Sequence, residues 1–348
     1  MLQSPSAPRL PWGAQALWEQ LVPLLPGLSV EVMQKVDSTN TQLLDRARSF
    51  SGRPDAPITR PGQLDNLPHN DRTPHGRRVG DVSPCLLVAE TQTRGRGRMG
   101  RGWQSSAGAS LTFSLALPLA PAQWGGLSLA VGLALAEALE PSTAAPPRLL
   151  LKWPNDLWLR DEQHRAASVG TPIGGAIGTP IGARIGAVRC GLGRKLGGIL
   201  IETVSVGERR VCVVGVGLNV LPQPTEGLAH GYACLQEIDP SVTAPAVLAR
   251  VALALVKALR RFETQGFAAL VPAYQRRDLL QGQTVSVSAP QPLVGVAEGV
   301  DAQGGLRLRS HGGPGPEGAE GADGAEAAGE WHRVVSGEVS VQLHPGSA

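Results

Sequence analysis

The sequence predicts an α/β domain followed by a small all-β module. Predicted strands alternate with predicted helices between residues 30 and 262, which is typical of a sheet with helices packed against it. From residue 280 the pattern changes to short β runs, which are typical of a separate β module. At 348 residues the chain has room for one large or two modest domains, each with a buried core.

Each element is predicted from its periodicity and from the residues that end it. A short helix over residues 14–25 is closed by Pro26 and Gly27. Asp37 or Ser38 is a suitable N-cap for a second helix. Further helices are predicted over residues 127–139 and 245–262. The strands are predicted over residues 30–36, 85–89, 111–117, 149–151, 196–203 and 210–216, and in the β module over 284–287, 293–296, 306–308, 333–335 and 339–343.

Three tracts interrupt this alternation. Residues 52–84 are rich in Pro, Arg, Asp and Asn, and residues 160–193 contain Gly-Thr-Pro-Ile-Gly twice. Residues 311–329 form a Gly/Ala/Glu tract. Because these compositions offer almost no apolar side chains to a core, the first two are predicted to be disordered insertions and the third a low-complexity insertion.

Composition excludes several classes of protein. The net charge of +3 is too small to make nucleic acid the default partner. Cysteines are scattered and form no C-x-x-C pair, which favours a reducing compartment over a disulfide framework or a zinc site. The start of the chain lacks the pattern of a signal peptide, and the most apolar window, residues 127–139, is too short to span a bilayer. We therefore expect a soluble intracellular protein.

The most distinctive stretch is residues 91–103, in which four arginines alternate with four glycines directly after an apolar run. Glycine allows backbone N–H groups to turn toward a ligand, and arginine adds a fixed charge and a planar fork that suits phosphate or carboxylate oxygens. This pattern favours a clamp for a small anion. A solvated basic turn and an RGG-like nucleic-acid segment remain alternatives at this point.

Polar residues also cluster at predicted strand ends. In Lys152-Trp153-Pro154-Asn155-Asp156 the proline fixes a bend, the lysine can pair with phosphate, and the amide and carboxylate oxygens suit Mg²⁺. An ordinary surface turn is the alternative. Lys195 stands where a strand begins, before two glycines, and Asn219 follows Gly-Val-Gly. Each of these two signals is weak alone.

Together, and in this order, these motifs resemble the biotin–protein ligase family, the biotin–[acetyl-CoA-carboxylase] ligases. The matching pieces are residues 37–40, 89–103, 152–157, 195–202 and 215–219. The resemblance implies an α/β (α+β) fold with a mixed-sheet, biotin/lipoate-ligase-like catalytic domain and a small SH3-like β-barrel. The expected boundaries are an N-terminal extension at 1–27, the catalytic domain at 28–278 and the SH3-like domain at 279–348.

The resemblance also implies an activity: ATP and Mg²⁺ convert biotin to biotinyl-5'-AMP, and the biotinyl group then passes to a lysine of the biotin carboxyl carrier protein of acetyl-CoA carboxylase. The implied catalytic residues are Lys195 and Arg98. The implied biotin-binding residues are Ser38, Thr39, Asn40, Gln92, Gly95, Arg96, Arg98, Lys195 and Gly198. The implied ATP-binding residues are Arg98, Arg101, Trp103, Lys152, Asn155, Asp156 and Asn219. Asp156 is also the expected Mg²⁺ ligand.

The expected partners are limited. Only 36 residues precede Asp37, too few for the winged helix-turn-helix that some family members carry, so no DNA binding is expected. A cytoplasmic monomer or weak homodimer is expected. Two other functions stay open on the sequence alone: a lipoate/octanoate–protein ligase, and a non-enzymatic nucleic-acid binder that uses the Arg/Gly loop.

Overall fold

The computed structural model describes residues 10–49, 82–141, 146–161, 192–224, 231–288, 292–310 and 330–341. The predicted insertions at 52–84, 160–193 and 311–329 therefore lie almost wholly outside the described residues. The chain forms two compact units. The first consists of Met1–Ala122, Gly198–Leu221 and Asp239–Lys257, and the second of Gln123–Gly197, Pro222–Ile238 and Ala258–Ala348.

The helices are α1 (Ala14–Leu21), α2 (Thr39–Arg48), α3 (Leu127–Leu139), α4 (Ala244–Gln265) and α5 (Val271–Gln275). The strands are β1 (Ser29–Val36), β2 (Cys85–Gln92), β3 (Gly95–Arg96), β4 (Gly102–Trp103), β5 (Ser110–Pro118), β6 (Leu149–Lys152), β7 (Asp156–Leu159), β8 (Arg194–Val206), β9 (Arg209–Asn219), β10 (Thr284–Ser288), β11 (Leu293–Val300), β12 (Leu306–Ser310), β13 (Trp331–Val334) and β14 (Glu338–Val341). Short 3₁₀ turns occur at Arg98–Gly100, Leu235–Glu237 and Ala268–Leu270.

The first unit is built on a mixed sheet in the order β1-β2-β5-β9-β8. Strand β1 pairs with β2 in parallel, whereas β2 with β5 and β5 with β9 pair antiparallel. Helix α2 covers this sheet by burying Leu43, Leu44 and Ala47 against residues of β2 and β9 such as Leu87 and Val213. The mixed sheet that the family resemblance implied is confirmed, and it fixes the first turn of α2 beside β2, β5 and β8.

The second unit contains the start of β8, followed in the sheet by β7 and β6, and a separate five-stranded antiparallel sheet in the order β13-β12-β11-β10-β14. Helix α3 has the predicted bounds and buries residues on all its faces. The small antiparallel sheet confirms the predicted C-terminal β module. Across the part of the chain that the structure describes, no helix combines the length and the apolar character needed to cross a membrane.

Several predicted boundaries were wrong. Helix α1 ends at Leu21 and not at residue 25, because Pro23 lacks the N–H that would continue the helical hydrogen bonds. Strands β3, β4 and β7 were missed, since two short glycine-rich strands and one strand directly after a proline turn carry little alternation. Strands β8 and β9 extend beyond the predicted ranges, and β13 begins two residues before its predicted start. Pairing between neighbouring strands decides such ends more than propensity does.

Candidate functional site

The first turn of α2 places three polar side chains in a buried position. Ser38 is the N-cap, and its side chain accepts a hydrogen bond from the Thr41 backbone N–H. Ser38, Thr39 and Asn40 are only 2–3% exposed. Burial raises the pKa of Asp37, but hydrogen bonds from Gln42 and from the Ser38 backbone outweigh it, so that its pKa lies below the usual value. The predicted N-cap is confirmed, with Ser38 rather than Asp37 in that position.

Thr39 connects α2 to two neighbouring strands. The Gln92 Oε1 atom, at the end of β2, accepts a hydrogen bond of 2.7 Å from the Thr39 N–H and lies 3.2 Å from the Thr39 hydroxyl. On the other side, the Thr39 hydroxyl lies 2.7 Å from Ser114 Oγ in β5. The Gln92 Nε2 group makes no hydrogen bond to any residue that the structure describes, and so it retains both N–H donors for a ligand.

The Asn40 side chain is bonded on every side. Its Oδ1 atom accepts from Ser114 Oγ at 2.6 Å, and its Nδ2 group donates to the Leu200 carbonyl at 3.2 Å and to Glu202 Oε2 at 3.0 Å. A Cβ atom added at Gly215 would lie 2.2 Å from Asn40 Oδ1, so only glycine leaves room for this amide. Asn40, predicted to bind biotin, uses both amide protons within the protein and therefore orients its neighbours.

The Arg/Gly loop is a small hairpin. Strands β3 and β4 pair antiparallel, with Gly95 opposite Trp103, and a Cβ at Gly95 would meet the Trp103 carbonyl at 2.3 Å. The turn places Met99 at φ 53° and Gly100 at φ 75°, both in the left-handed region. The Arg96 guanidinium forms an ion pair of 2.8 Å with Glu202. The loop thus brings Arg96 to the side of the sheet that carries the start of α2, while the predicted residues Arg98 and Arg101 lie in the turn between β3 and β4.

Trp103 leaves this loop and packs on β9. A Cβ at Gly217 would lie 2.4 Å from the indole ring, so the ring rests directly on glycine backbone. The indole Nε1–H is buried and has no hydrogen-bond partner among the described residues. Asn219, at the end of β9, is 6% exposed and lies opposite Ser110. The buried Trp103 indole N–H is therefore available to donate a hydrogen bond to a polar ligand.

The second unit carries the predicted residue Lys152 on a hairpin of β6 and β7. Lys152 lies opposite Asp156 in this pairing, and residues 153–155 form the connecting turn. Although it is charged, Lys152 is only 6% exposed, and its Nζ atom lies 4.7 Å from the centre of the Trp158 ring. A cation over an aromatic face is stabilised by the ring quadrupole. Trp158 therefore supports a lysine that would otherwise be costly to bury.

Lys195 lies near the start of β8 and forms an ion pair with Asp156, with Nζ and Oδ1 2.8 Å apart. Its backbone N–H donates to the Gly231 carbonyl, and its own carbonyl accepts from Ala233 N–H. Arg194, next to it, is bonded to Glu237 and Asp161, and the hydrogen bond to Glu237 is the main reason why its pKa is raised. The position of Lys195 is thus fixed through both its backbone and the preceding residue.

The predicted Mg²⁺ ligand can be tested against these contacts. Among the described residues no group of three His, Cys, Asp or Glu side chains is suited to hold a metal ion. Asp156 Oδ1 already accepts a hydrogen bond from Lys195 Nζ. Asp156 therefore fits a cation that is bound through one carboxylate oxygen and otherwise through phosphate oxygens and water, which is how Mg²⁺ usually accompanies a nucleotide.

Two residues of the site were missed in the sequence. Ser114 was overlooked inside the apolar strand β5, although Ser110, Thr112 and Ser114 recur at a spacing of two and so share one face. Glu202 lay within a matched motif but had no assigned role. Gly198, predicted to bind biotin, lies half-buried in β8. The spacing of two was the available signal for Ser114.

Residues 82–219 match the model of the Biotin/lipoate A/B protein ligase family. The chain is 31% identical over 312 residues to a biotin–[acetyl-CoA-carboxylase] ligase of Mycobacterium tuberculosis, covering 85% of each chain. It is 30% identical over 300 residues to the bifunctional ligase/repressor BirA of Escherichia coli, covering 84% of this chain and 73% of that one. The chain belongs to the biotin–protein ligase family.

A solved structure shares the fold of this chain. The biotin protein ligase from Aquifex aeolicus in complex with biotin and ATP matches with a TM-score of 0.56 and 22% identity, over 90% of this chain and 98% of that one.

Proposed function

We propose that this protein is an ATP-dependent biotin–protein ligase. In the first step a biotin carboxylate oxygen attacks the α-phosphorus of ATP, which forms biotinyl-5'-AMP and releases pyrophosphate. In the second step the amine of a carrier lysine attacks the acyl carbon, which forms an amide and releases AMP. The family relationship supports this reaction, and the Aquifex aeolicus biotin protein ligase that shares the fold was solved with biotin and ATP.

The residues around the first turn of α2 are proposed to hold the neutral ring of biotin. A ureido group has one carbonyl acceptor and two N–H donors, and it needs directional partners. Thr39 and Gln92 are held in fixed orientations by Ser114 and by each other, while the Gln92 amide still has unused donors. Ser38, Gly95, Arg96 and Gly198 are proposed to complete this side. Preorganised polar groups bind without first paying the cost of ordering.

Lys195 and Arg98 are proposed to act on the reacting anions. The carboxylate and the α-phosphate repel each other as they approach, and a cation placed near both offsets that repulsion. In the structure Lys195 is paired with Asp156, so a ligand carboxylate or phosphate would replace or share this partner. Arg101, Trp103, Lys152, Asn155 and Asn219 are proposed to bind the nucleotide. Mg²⁺ is proposed to accompany ATP, neutralise phosphate charge and take one oxygen from Asp156.

The observation that carries this proposal is the buried network of Thr39, Asn40, Gln92 and Ser114. Lipoate and octanoate have no ureido ring, so a set of oriented hydroxyl and amide groups favours biotin over both. The test is exchange of labelled pyrophosphate into ATP in the presence of Mg²⁺ with biotin, lipoate or octanoate. We expect exchange with biotin alone; exchange with lipoate at an equal rate would favour the lipoate ligase, and exchange with none would contradict both.

The finer partners and the location are also proposals. The carboxyl carrier protein of acetyl-CoA carboxylase is the proposed acceptor, as the names of two relatives indicate for those proteins. We propose that the enzyme acts in the cytoplasm as a monomer or weak homodimer and that it does not bind DNA. Transfer of labelled biotin to a purified carrier domain tests the proposed acceptor, and a mobility-shift assay with duplex DNA tests the expected lack of DNA binding.

A further inference from the structure

Glu202 in β8 connects two segments of the first unit that are distant in sequence. Its Oε1 atom pairs with the Arg96 guanidinium at 2.8 Å, and its Oε2 atom accepts from Asn40 Nδ2 at 3.0 Å. Arg96 also lies 3.4 Å from the Thr41 hydroxyl. One carboxylate therefore joins the β3–β4 hairpin to the first turn of α2.

The orientation of Glu202 is transmitted further through Asn40. Since Asn40 Nδ2 donates to Glu202 and to a backbone carbonyl, its Oδ1 atom must face Ser114, and Ser114 in turn contacts the Thr39 hydroxyl. The Thr39 N–H is bonded to Gln92. A continuous chain of hydrogen bonds thus runs from Arg96 through Glu202 to Thr39 and Gln92.

This double contact needs a carboxylate. Both oxygens of a glutamate accept hydrogen bonds, whereas a glutamine has one acceptor and one donor group. A glutamine at position 202 would satisfy either Arg96 or Asn40 and would turn an N–H group toward the other. The Arg96 side chain is 44% exposed and the Glu202 side chain 23%. Ion pairs with this much exposure contribute little to the free energy of unfolding. Loss of this pair should therefore change position rather than folding.

We propose that Glu202 is a positioning residue that fixes the Arg/Gly hairpin onto the first turn of α2 and so keeps both in the arrangement that binds biotin. This inference rests on the proposed biotin–protein ligase function. It assigns to Glu202 an indirect role: the carboxylate acts through Arg96 and Asn40 and need not contact biotin, ATP or the carrier. The hairpin should then be held in the ligand-free protein as well.

The test compares Glu202→Gln with Glu208→Gln, a matched control in the exposed turn between β8 and β9. For Glu202→Gln the KM for biotin in pyrophosphate exchange should rise about tenfold, as expected for loss of one charge-assisted hydrogen bond, while kcat changes by less than about threefold. Ligand-free trypsin cleavage after the arginines at 94–101 should accelerate by a similar factor, and the melting temperature should stay within a few degrees. Glu208→Gln should match the parent protein throughout.

Further variants separate positioning from a structural role. Glu202→Asp keeps two acceptor oxygens and should lie between the parent and Glu202→Gln. Arg96→Gln should also accelerate cleavage after the three remaining arginines, and adding Glu202→Gln to it should cause little further acceleration, because both changes break one contact. If Glu202→Gln does not fold, Glu202→Asp decides the question by KM and by cleavage, and Arg96→Gln by cleavage after Arg94, Arg98 and Arg101 alone, since Arg96 is itself proposed to bind biotin.

The outcomes are distinct. Equal KM and equal cleavage for Glu202→Gln and Glu208→Gln would overturn the positioning role. Additive acceleration in the double variant would also overturn it. If the parent protein shows no biotin-dependent exchange, the proposed function fails, while ligand-free cleavage still shows whether Glu202 holds the hairpin.

Discussion

The two units carry polar clusters of opposite character. In the first unit the cluster around Thr39 and Asn40 consists mainly of hydroxyl and amide groups, each held by a neighbour at 2.6–3.2 Å. In the second unit Lys152 and Lys195 are cations, one placed over the Trp158 ring and one paired with Asp156. The first cluster offers hydrogen-bonding groups of fixed orientation, and the second offers positive charge.

The two clusters are therefore suited to two different kinds of ligand group. A neutral ring is recognised by donors and acceptors whose orientation is fixed in advance, because a misdirected hydrogen bond loses most of its value. An anion is attracted by charge, which is less sensitive to angle but costly to bury alone. Both lysines accordingly have partners within the protein, and for Lys195 this partner is the Asp156 carboxylate, which a bound anion would replace or share.

The largest effect is expected where charge is removed from the second cluster. Lys195→Ala should slow adenylate formation by about ten- to a hundredfold, because a charge-assisted hydrogen bond contributes about 1.5–3 kcal/mol. The measurement is biotin-dependent pyrophosphate exchange at saturating ATP. Lys257→Ala, on an exposed position of α4, is the control and should exchange at the parent rate. A parent-like rate for Lys195→Ala would remove Lys195 from the reaction.

A smaller but still large effect is expected where the first cluster is displaced without removing any polar group. In Gly215→Ala the new Cβ would lie 2.2 Å from Asn40 Oδ1. Such overpacking costs about 1–3 kcal/mol, which should appear both as a lower melting temperature and as a higher KM for biotin. Adding Asn40→Ala should restore stability by removing the clash but leave biotin binding weak. Recovery of both properties would show that Asn40 has no part in orienting the cluster.

A third prediction contrasts the buried Asp278 of the second unit with the exposed Asp45 of the first. Burial raises the pKa of Asp278 to about 6, and its Oδ2 atom has no partner among the described residues. The folded state therefore favours the protonated form, so its contribution to stability is complete below the usual pKa of 3.8 and is lost as pH rises through about 6.

Unfolding free energies measured by urea denaturation at pH 4 and pH 7 test this contrast. Asp278→Asn should remove a loss of about 2 kcal/mol between these two pH values, because one pKa unit corresponds to about 1.4 kcal/mol and the unfolded carboxyl is already partly ionised at pH 4. Asp45→Asn changes an exposed carboxylate on α2 and should leave the pH dependence as it is. An identical pH dependence in Asp278→Asn and the parent would show that Asp278 is not protonated by folding.

The smallest effect is expected from shortening the chain between β7 and β8. These strands are neighbours in the sheet, and Asp161 and Arg194, at the two ends of residues 162–191, form an ion pair of 2.8 Å. Replacing 162–191 by a short Gly/Ser turn should therefore leave Lys195 in place. The melting temperature should stay within about 3 °C, less than the shift that a loss of 1 kcal/mol usually causes. Loss of most exchange activity would show that this segment contributes to the reaction.

Much of the fold was readable from the sequence because its signals are local. Helix α3 and the N-cap Ser38 follow from an apolar run and a capping residue, and the Arg/Gly motif with Lys195 led to the family. The missed features depend on long-range contacts. Ser114, Glu202 and Asn40 meet only when β5, β8 and α2 are assembled, 74–162 residues apart in sequence. The support of Lys152 by Trp158 requires the β6–β7 hairpin, which the proline turn concealed.

The most direct test of separate recognition and activation is a comparison of Ser114→Ala with Lys195→Ala in both half-reactions. Ser114→Ala should raise the KM for biotin in adenylate formation with little change in kcat. Lys195→Ala should lower kcat of that step, yet transfer from chemically prepared biotinyl-5'-AMP to a carrier domain should fall far less than the overall reaction. If both variants change the same parameter, or if Lys195→Ala loses transfer as fully as activation, the division of labour between the two clusters is wrong.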